Sequence, residues 1–317
     1  FGKEGDFITA PNITRLFSEI IAIWIITFWK SIGSPKKFNL LELGAGNGEM
    51  MKVIIETLKN FPECFNTCRF IIHEKSNFLI NHQRKNLNSE KILWVKNINK
   101  INAYPTLCLA NEFFDAIPIK QFVKKEDKIF ENYVSHDKNF KVKRELKLTK
   151  KKYLKFLKYF KDLKKLNFIE YPKLGFLELD AIVSAIKRLG GGVMLIDYGY
   201  IKPQNIDTLQ SIKKHRKNPI LENLGNADIT SLVNFGLLDK YFKKNKLFVE
   251  KIVTQSFFLK KTGILERAQL LSQNMNFSEK TDLYLRLKRL LDQKFMGNLF
   301  KVIFACKIKR KNLIGFN

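Results

Sequence analysis

The chain has 317 residues, 45% of them hydrophobic, which is enough to bury a substantial core in one large domain or two. Its formal net charge is +27, from 57 Lys and Arg against 30 Asp and Glu. A charge of this size attracts nucleic acid, anionic membranes or acidic proteins. Lysine, asparagine and isoleucine are abundant throughout, however, as drift under an AT-rich genome would produce. The charge alone therefore does not identify nucleic acid as the partner.

The cysteines and the apolar runs indicate the kind of cellular compartment to expect. Cys64, Cys68, Cys108 and Cys306 form no C-x-x-C pair and no ligand cluster with histidine, so we expect reduced thiols and no metal. The longest apolar run, residues 20–29, is about half the length that a bilayer-spanning helix needs, so no transmembrane segment is expected. Because the sequence begins at Phe1, we expect a targeting peptide or an N-terminal helix to be missing from it.

The first predicted element is a helix over about residues 13–29, following the segment GDFITAP. Thr9 or Asn12 can cap this helix with a side-chain oxygen. The helix is apolar on more than one side, which indicates burial against a sheet. In this position it would cover a ligand crevice.

A glycine-rich turn follows, in the segment LLELGAGNGEM of residues 40–50. An apolar run leads to Glu42, glycines stand at Gly44, Gly46 and Gly48, and a helical pattern begins after them. Glycines let a ligand approach bare backbone, and the N–H groups that open the next helix favour an anion or a polar ligand. The third glycine comes one residue earlier than in the dinucleotide pattern G-x-G-x-x-G. The spacing resembles the first motif of class I S-adenosylmethionine (SAM) methyltransferases, with dinucleotide binding and an unliganded turn as alternatives.

The next strand, over residues 69–73, ends at Glu74. An acidic residue at this distance from a glycine turn can accept hydrogen bonds from both ribose hydroxyls of a nucleoside. The alternative is an ordinary charged residue at the end of a strand. We favour the ribose role because of the glycine turn upstream. A helix over about residues 77–87 and a short strand near residues 92–95 follow.

The segment ANEFFDAIP carries the next group of polar residues. Residues 106–110 read as a buried parallel strand, and open α/β sheets bind their ligands where such strands end. Two carboxylates with aromatic rings between them could hold a guanidinium group. The alternative is a polar helix cap with buried phenylalanines. The side chains concerned are Asn111, Glu112, Phe113, Phe114 and Asp115.

We expect residues 119–190 to be an insertion within a single domain of residues 1–317. Residues 121–148 alternate and are highly charged, which predicts one or two hairpins. Residues 149–166 predict a lysine-rich amphipathic helix, and residues 176–189 a second helix. Neither part has enough apolar surface to fold alone.

The last third of the chain predicts the end of the sheet. A buried strand over residues 193–196 ends in Asp197 and Tyr198, and a long polar loop over residues 207–235 contains His215. His215 could be chemical or merely solvated. Asp228 and Thr230 are placed to start a helix. Two β-rich runs over residues 248–259 and 299–308, separated by helices at 263–271 and 279–293, would complete the sheet.

Taken in order, several segments resemble those of the MidA-like methyltransferases. They are GDFITAP, LLELGAGNGEM, ANEFFDAIP, LIDYGY, the segment DTLQ to NF of residues 207–235, and MGNLFKV of residues 296–302. The resemblance implies a class I, Rossmann-like α/β fold: a seven-stranded, mostly parallel sheet with helices on both faces. It also implies SAM as cofactor and methylation of a protein arginine to symmetric dimethylarginine. The family includes a mitochondrial assembly factor that acts on a core subunit of respiratory complex I.

By the same resemblance, the glycine turn would bind SAM together with Glu42 and Asn111, Glu74 would hold the ribose, and residues 111–115 would line the substrate side. Glu112 and Asp115 are the expected catalytic residues, because carboxylates bonded to two guanidinium nitrogens can localise electron density on the third. Phe113, Phe114, Asp197, Tyr198, His215 and Asp228 are expected at the substrate or in a lid.

The sequence departs from the family pattern at three positions of the predicted lid and turn: Asn12, where an acidic residue is usual, Ser18 for a glycine, and Ala45 for a proline. Two other functions stay open: a nucleic-acid or small-molecule methyltransferase, and a non-catalytic SAM-binding assembly chaperone. The expected compartment is the cytoplasm for a bacterial protein and the mitochondrial matrix for a eukaryotic one.

Overall fold

The computed structural model describes residues 9–87, 91–101, 103–139, 141–310 and 313–317. Its strands are β1 (Phe38–Leu43), β2 (Cys68–His73), β3 (Ile92–Val95), β4 (Thr106–Asn111), β5 (Lys120–Lys125), β6 (Lys128–His136), β7 (Val142–Leu148), β8 (Phe168–Tyr171), β9 (Gly191–Tyr200), β10 (Gln210–Lys213), β11 (Arg216–Asn218), β12 (Asp228–Thr230), β13 (Val233–Asn234), β14 (Phe248–Val249), β15 (Val253–Thr254) and β16 (Phe300–Cys306).

The α-helices are α1 (Ala10–Ile13), α2 (Arg15–Ser31), α3 (Glu49–Leu58), α4 (Pro62–Phe65), α5 (Asn77–Leu87), α6 (Lys155–Tyr159), α7 (Lys173–Leu189), α8 (Phe235–Lys244), α9 (Gln255–Lys261), α10 (Ile264–Ser272), α11 (Phe277–Leu291) and α12 (Met296–Leu299). Short 3₁₀ segments lie at Ile98–Lys100, Lys151–Leu154 and Lys161–Lys165. In the part of the chain described, no helix combines the length and the apolar character needed to cross a bilayer.

The main sheet has the predicted seven-stranded path, in the order β3-β2-β1-β4-β9-β16-β14. The first five strands of this path run parallel, whereas β16 is antiparallel to β9 and β14 is antiparallel to β16. The short strands β13 and β15 add to β9 and β16. All six residues of β1 are buried, as expected for a central strand of a parallel sheet covered on both faces, and two of them, Asn39 and Glu42, are polar. The predicted fold class is confirmed.

The two faces of the sheet carry separate hydrophobic cores. On one face, α2 packs against α3, α9 and α10; Trp24 of α2 stacks on Phe28 with 5.5 Å between ring centroids and meets Phe304 of β16 edge-on at 5.0 Å. On the other face, α7, α8 and the segment between β7 and β8 form the second core. The carboxyl ends of β1, β2, β4 and β9 lie between these two cores, and the loops that follow them can form a ligand site.

The start of α2 differs from the prediction. The helix begins at Arg15, and its cap is Thr14, whose Oγ1 accepts a hydrogen bond from the backbone N–H of Leu16 at 3.3 Å. Thr9 and Asn12, the predicted caps, are instead hydrogen-bonded to each other at 2.8 Å across the separate turn α1. The preceding part of GDFITAP, residues 5–8, lies outside the described residues.

The region of the predicted insertion contains its own four-stranded antiparallel sheet, in the order β7-β6-β5-β8. The single helix predicted over residues 149–166 is wrong: the chain forms α6 between two 3₁₀ segments. Apart from Phe156, its buried side chains recur every three residues, which matches the period of a 3₁₀ helix rather than that of an α-helix. These residues are Leu157, Phe160, Leu163 and Leu166.

Two further predictions about the last third of the chain are wrong. Asp228 and Thr230 form β12 instead of starting a helix, and α8 begins at Phe235, where the Asn234 side chain accepts from the N–H of Leu237 at 3.0 Å. The β-rich run predicted over residues 248–259 contains only β14 and β15. It continues as α9 because Thr254 caps that helix, with its Oγ1 accepting from the N–H of Phe257 at 3.2 Å.

Candidate active site

The glycine turn between β1 and α3 has the backbone that its sequence requires. Gly44, Gly46 and Gly48 all have positive φ, at 61°, 55° and 86°. The N–H of Gly44 donates to the carbonyl of His73 at 3.0 Å, which fixes the turn to the end of β2. A Cβ on Gly44 would lie only 2.7 Å from the ring of Phe113. The turn therefore brings bare backbone against the loop that follows β4.

A cavity of about 310 Å³ opens between this turn, the end of β2, the loop after β4 and the start of α7. Its walls combine apolar side chains with charged groups at the rim. The lining residues are Gly44, Gly46, His73, Glu74, Lys75, Leu79, Glu112, Phe113, Ala116, Ile117, Pro118, Leu174 and Glu178. Glu178 and Leu174 lie in the predicted insertion, and no motif around them predicted that they reach this site.

Glu74 lies in the wall of the cavity, at the place predicted for a ribose ligand. Its Oε1 accepts from the backbone N–H groups of Lys75 and Ser76 at 2.8 and 2.9 Å, which orients the carboxylate. The fully buried Gln83 links this carboxylate to the glycine turn: its Nε2 lies 2.9 Å from the carbonyl oxygen of Gly46 and 3.4 Å from Oε2 of Glu74. Gln83 was missed from the sequence because it occupies one position of an ordinary polar helix.

A second, smaller cavity of about 40 Å³ adjoins the first at the glycine turn, lined in part by Glu42, Asn111, Glu112 and Asn12. Oε2 of Glu42 and Oδ1 of Asn111 are both buried without a hydrogen-bond donor in the structure as described. Burial raises the pKa of Glu42 to about 8. Two orphaned acceptors beside one cavity create a place where a cationic donor would be stabilised.

Glu112 lines both cavities. Its backbone has a positive φ of 49°, which turns the chain sharply after β4. Its Oε1 accepts from the N–H of Ala10 at 2.8 Å and from Nδ2 of Asn111 at 3.3 Å. Burial raises the pKa of the Glu112 carboxyl to about 8, with a smaller contribution from the negative charge of Asp115. This residue alone among the acidic candidates connects the turn, the loop and the N-terminal segment.

Asp115, the second predicted catalytic carboxylate, does not line either cavity. It is buried, and its Oδ2 accepts from the hydroxyl of Tyr198 at 2.6 Å. Asp197 of β9 is hydrogen-bonded to the same loop: its Oδ2 accepts from the N–H groups of Phe114 and Asp115 at 3.0 and 3.1 Å. Its Oδ1 accepts from the N–H of Tyr198 at 2.9 Å. Burial raises the pKa of Asp115 and of Asp197.

The remaining predicted residues are spread more widely. Phe113 faces the larger cavity, whereas Phe114 is buried against Gly175 of α7. His215 is exposed at the turn between β10 and β11, with a φ of 60°, and is not among the residues that line the two cavities. Asp228 lies in β12, close enough to Asp115 for its negative charge to raise the pKa of that carboxyl slightly. No trio of His, Cys, Asp and Glu side chains within the described ranges is arranged to hold a metal ion.

The family model of a group described as S-adenosyl-L-methionine-dependent methyltransferases matches residues 20–253, well over half of the chain. The protein belongs to this family. The match includes the glycine turn, Glu74, the loop of residues 111–115, and Asp197 and Tyr198 of β9. The cofactor of the family is SAM.

Two relatives and one crystal structure illustrate the similarity. The methyltransferase is 30% identical over 298 residues to "Protein arginine methyltransferase NDUFAF7 homolog, mitochondrial" of Caenorhabditis elegans, covering 86% of this chain and 68% of the relative. It is 26% identical over 325 residues to "Protein arginine methyltransferase NDUFAF7, mitochondrial" of Xenopus tropicalis, covering 95% and 75%. A Burkholderia thailandensis structure with bound S-adenosyl-homocysteine shares the fold, with a TM-score of 0.79, 18% identity and coverage of 99% of this chain and 80% of that one.

The residues of the methyltransferase fit SAM. Because a Cβ on Gly44 would meet the ring of Phe113, only glycine lets the loop pack on the turn, and the bare backbone of Gly44 and Gly46 lines both cavities, where a ligand can approach it. The orphaned acceptors of Glu42 and Asn111 suit the ammonium group of the cofactor's methionyl part. The larger cavity, with Glu74 in its wall, suits the nucleoside part.

Proposed function

We propose that this methyltransferase transfers methyl groups to arginine side chains of a protein. The observation that carries the proposal is the position of Glu112, a half-buried carboxylate that lines both cavities. Only one of its two oxygens is hydrogen-bonded to the described part of the chain, so Oε2 is available to a ligand. The relatives from Caenorhabditis elegans and Xenopus tropicalis, both named protein arginine methyltransferases, support the same substrate class.

The charge of Glu112 makes it selective for a cation. Because burial raises its pKa to about 8, much of this carboxyl is in the neutral form at neutral pH. A guanidinium bonded to Glu112 restores the carboxylate and is oriented by it. SAM supplies a methyl group on a sulfonium, and the transfer is an in-line displacement for which the protein mainly provides orientation and exclusion of water.

In this proposal Asp115 helps to shape the loop and does not contact the substrate. Its carboxyl lies behind the loop, bonded to Tyr198, with Oδ1 unpaired within the described structure. Asp197 fixes the two backbone amides next to it. Asp115 would therefore reach a guanidinium only if the loop moved. We assign the direct contact to Glu112 and place Asp115, Asp197 and Tyr198 beneath it as the groups that shape the loop.

The finer assignments belong to the same proposal. The substrate is a core subunit of respiratory complex I or its bacterial counterpart, the product is symmetric dimethylarginine, and the compartment is the mitochondrial matrix or, in a bacterium, the cytoplasm. The relatives carry the word mitochondrial in their names, which supports the first compartment.

The test is to incubate the protein with methyl-labelled SAM and a lysate from its own source. We expect label in a polypeptide and dimethylarginine after hydrolysis. Label in RNA or DNA would make the protein a nucleic-acid methyltransferase. Binding of SAM with no label in any macromolecule would support the non-catalytic chaperone.

The Glu112→Gln variant tests the residue itself, because it keeps the shape and removes the charge. We expect SAM affinity to be retained and turnover to fall by about a hundredfold, in the range typical for loss of one charged group at a reacting centre. Glu63→Gln, on an exposed helix outside the cavities, is the matched control and should leave turnover unchanged. Turnover within a few-fold of the parent protein in Glu112→Gln would rule out the assigned role.

A further inference from the structure

A third cavity, of about 470 Å³, lies on the antiparallel sheet of the insertion region. Its lining comes from β5, β6, β8, the short helical segments after β7 and the first residue of α7. We call it the lysine–aromatic cavity, after the residues that line it: Lys120, Phe122, Glu131, Tyr133, Lys152, Tyr153, Lys155, Phe156, Tyr171 and Lys173.

Aromatic rings form a rigid wall of this cavity. Phe156 stacks on Tyr171 with 4.1 Å between centroids and an interplanar angle of 13°, and Phe122 packs against Phe156 at 5.2 Å. Phe122 and Phe156 are buried in the second core, so the wall is anchored to the fold. Such a wall accepts the apolar part of a side chain at little entropic cost.

The charges of the cavity are unbalanced. Glu131 forms an ion pair with Lys120 and accepts from the Tyr133 hydroxyl at 3.0 Å, so its negative charge is already used. Within the described ranges, the ammonium groups of Lys152, Lys155 and Lys173 form no ion pair with a carboxylate. Three exposed cations around one concave aromatic surface are suited to a negatively charged group.

The cavity borders the active site through two short stretches of chain. Lys173 is followed directly by Leu174, which lines the larger SAM-side cavity, and Lys120 comes two residues after Pro118, which also lines it. Lys120 and Tyr171 are paired across β5 and β8, which joins the two stretches. A polypeptide that enters the active site would thus pass the lysine–aromatic cavity within a few residues.

From this geometry we infer that the lysine–aromatic cavity binds acidic side chains of the polypeptide substrate, a few residues from the methylated arginine. The inference rests on the proposed function for its choice of a polypeptide. RNA is disfavoured because a bound single strand needs a groove that follows its backbone, whereas this site is a single cavity, open to solvent, whose lining includes the carboxylate of Glu131. Methylation sites flanked by Asp or Glu are the expected substrates.

The first experiment measures binding without catalysis. The probe is a short fluorescein-labelled peptide of Asp, Glu, Tyr and Gly that lacks arginine, and the readout is fluorescence anisotropy at low salt. We expect Lys152→Glu combined with Lys155→Glu to weaken binding by at least tenfold, because four units of charge change beside the probe. Lys125→Glu combined with Lys128→Glu, at the exposed β5–β6 turn, makes the same charge change outside the cavity and serves as the control.

Three outcomes would overturn the inference. The peptide could fail to bind, both double variants could weaken its binding equally, or a single-stranded oligouridine could displace it while binding more tightly. The milder pair Lys152→Gln with Lys155→Gln repeats the test if the charge reversal impairs folding, as checked by circular dichroism.

The second experiment separates this inference from the proposed function. With the labelled polypeptide from the lysate as substrate, Lys152→Glu with Lys155→Glu should raise KM and leave SAM affinity unchanged. If a polypeptide is labelled but KM matches that of the control pair, the cavity plays no part and arginine methylation stands. If the acidic peptide binds in the cavity but no polypeptide is labelled, the cavity is an anion-binding site. In that case both the proposed function and the assignment of a polypeptide substrate to this cavity are wrong.

Discussion

The two halves of the site are built in different ways. The half that we propose for SAM, called here the cofactor half, consists mainly of backbone: Gly44, Gly46 and Gly48 have positive φ, and the N–H of Gly44 donates to the carbonyl of His73. The acidic half consists of side chains that hold other segments in place, with Asp197 on three backbone amides. A backbone site depends on a few adjacent residues, whereas a side-chain site depends on contacts made across the sheet. The cofactor half should therefore tolerate a change of charge but not an added side chain. The acidic half should tolerate a change of size but not the loss of a charged or hydrogen-bonding group.

The largest effect is expected from Asp197→Ala. This change leaves three buried N–H groups without an acceptor, and each such group costs roughly 1–3 kcal/mol of the free energy of unfolding. Denaturant titration should therefore show a loss of several kcal/mol. Asp197→Asn keeps one acceptor oxygen and should lose less. Equal stability of the alanine variant and the parent protein would show that the acidic half does not depend on these contacts.

The next effect is a dependence of stability on pH. Burial raises the pKa of Glu42 from 4.5 to about 8, so between these values the unfolded chain has released a proton that the folded chain still holds. The contribution of Glu42 to stability is therefore lost as the pH rises, at up to about 1.4 kcal/mol per pH unit. Without ligand, Glu42→Gln should gain stability over the parent protein as the pH is raised from about 5.5 to about 7.5. A constant difference across this range would contradict the raised pKa.

A smaller effect, confined to the cofactor half, is expected from Gly44→Ala. The added Cβ meets Phe113 at 2.7 Å, and the φ of 61° disfavours alanine by about 1 kcal/mol. SAM affinity measured by calorimetry should fall by about tenfold or more. Gly33→Ala is the control, because Gly33 also has a positive φ but nothing lies within 4 Å of its Cβ position. Loss of affinity in both variants would indicate general strain instead of a blocked turn.

The smallest effect is expected from His215→Ala. His215 is exposed at a hairpin turn, and substitutions at such positions change stability by about 0.5 kcal/mol or less. Turnover of the variant should match that of the parent protein at every pH from 6 to 8. A drop of tenfold or more would restore the chemical role that the sequence left open for His215 and extend the acidic half to the β10–β11 turn.

The difference between a backbone site and a side-chain site also explains which parts of the molecule could be predicted from the sequence. The backbone of the glycine turn and the position of Glu74 directly after β2 were predicted because each is encoded within a few residues. Gln83 and Glu178 were not, since their roles arise only when helices from distant parts of the chain pack against the sheet. The helix predicted over residues 149–166 failed for a local reason, because its apolar spacing of three was read as a helical spacing of 3.6.

The link from Gln83 to the glycine turn gives the protein an optical probe of its own. The indole Nε1 of Trp94 donates to Oε1 of Gln83 at 3.0 Å, and Gln83 also contacts the Gly46 carbonyl, in the wall of both cavities. Trp24 and Trp29, the other tryptophans of the sequence, are buried in the core around α2. A ligand that displaces the turn changes the surroundings of a single indole, so the emission of Trp94 can follow cofactor binding without any label.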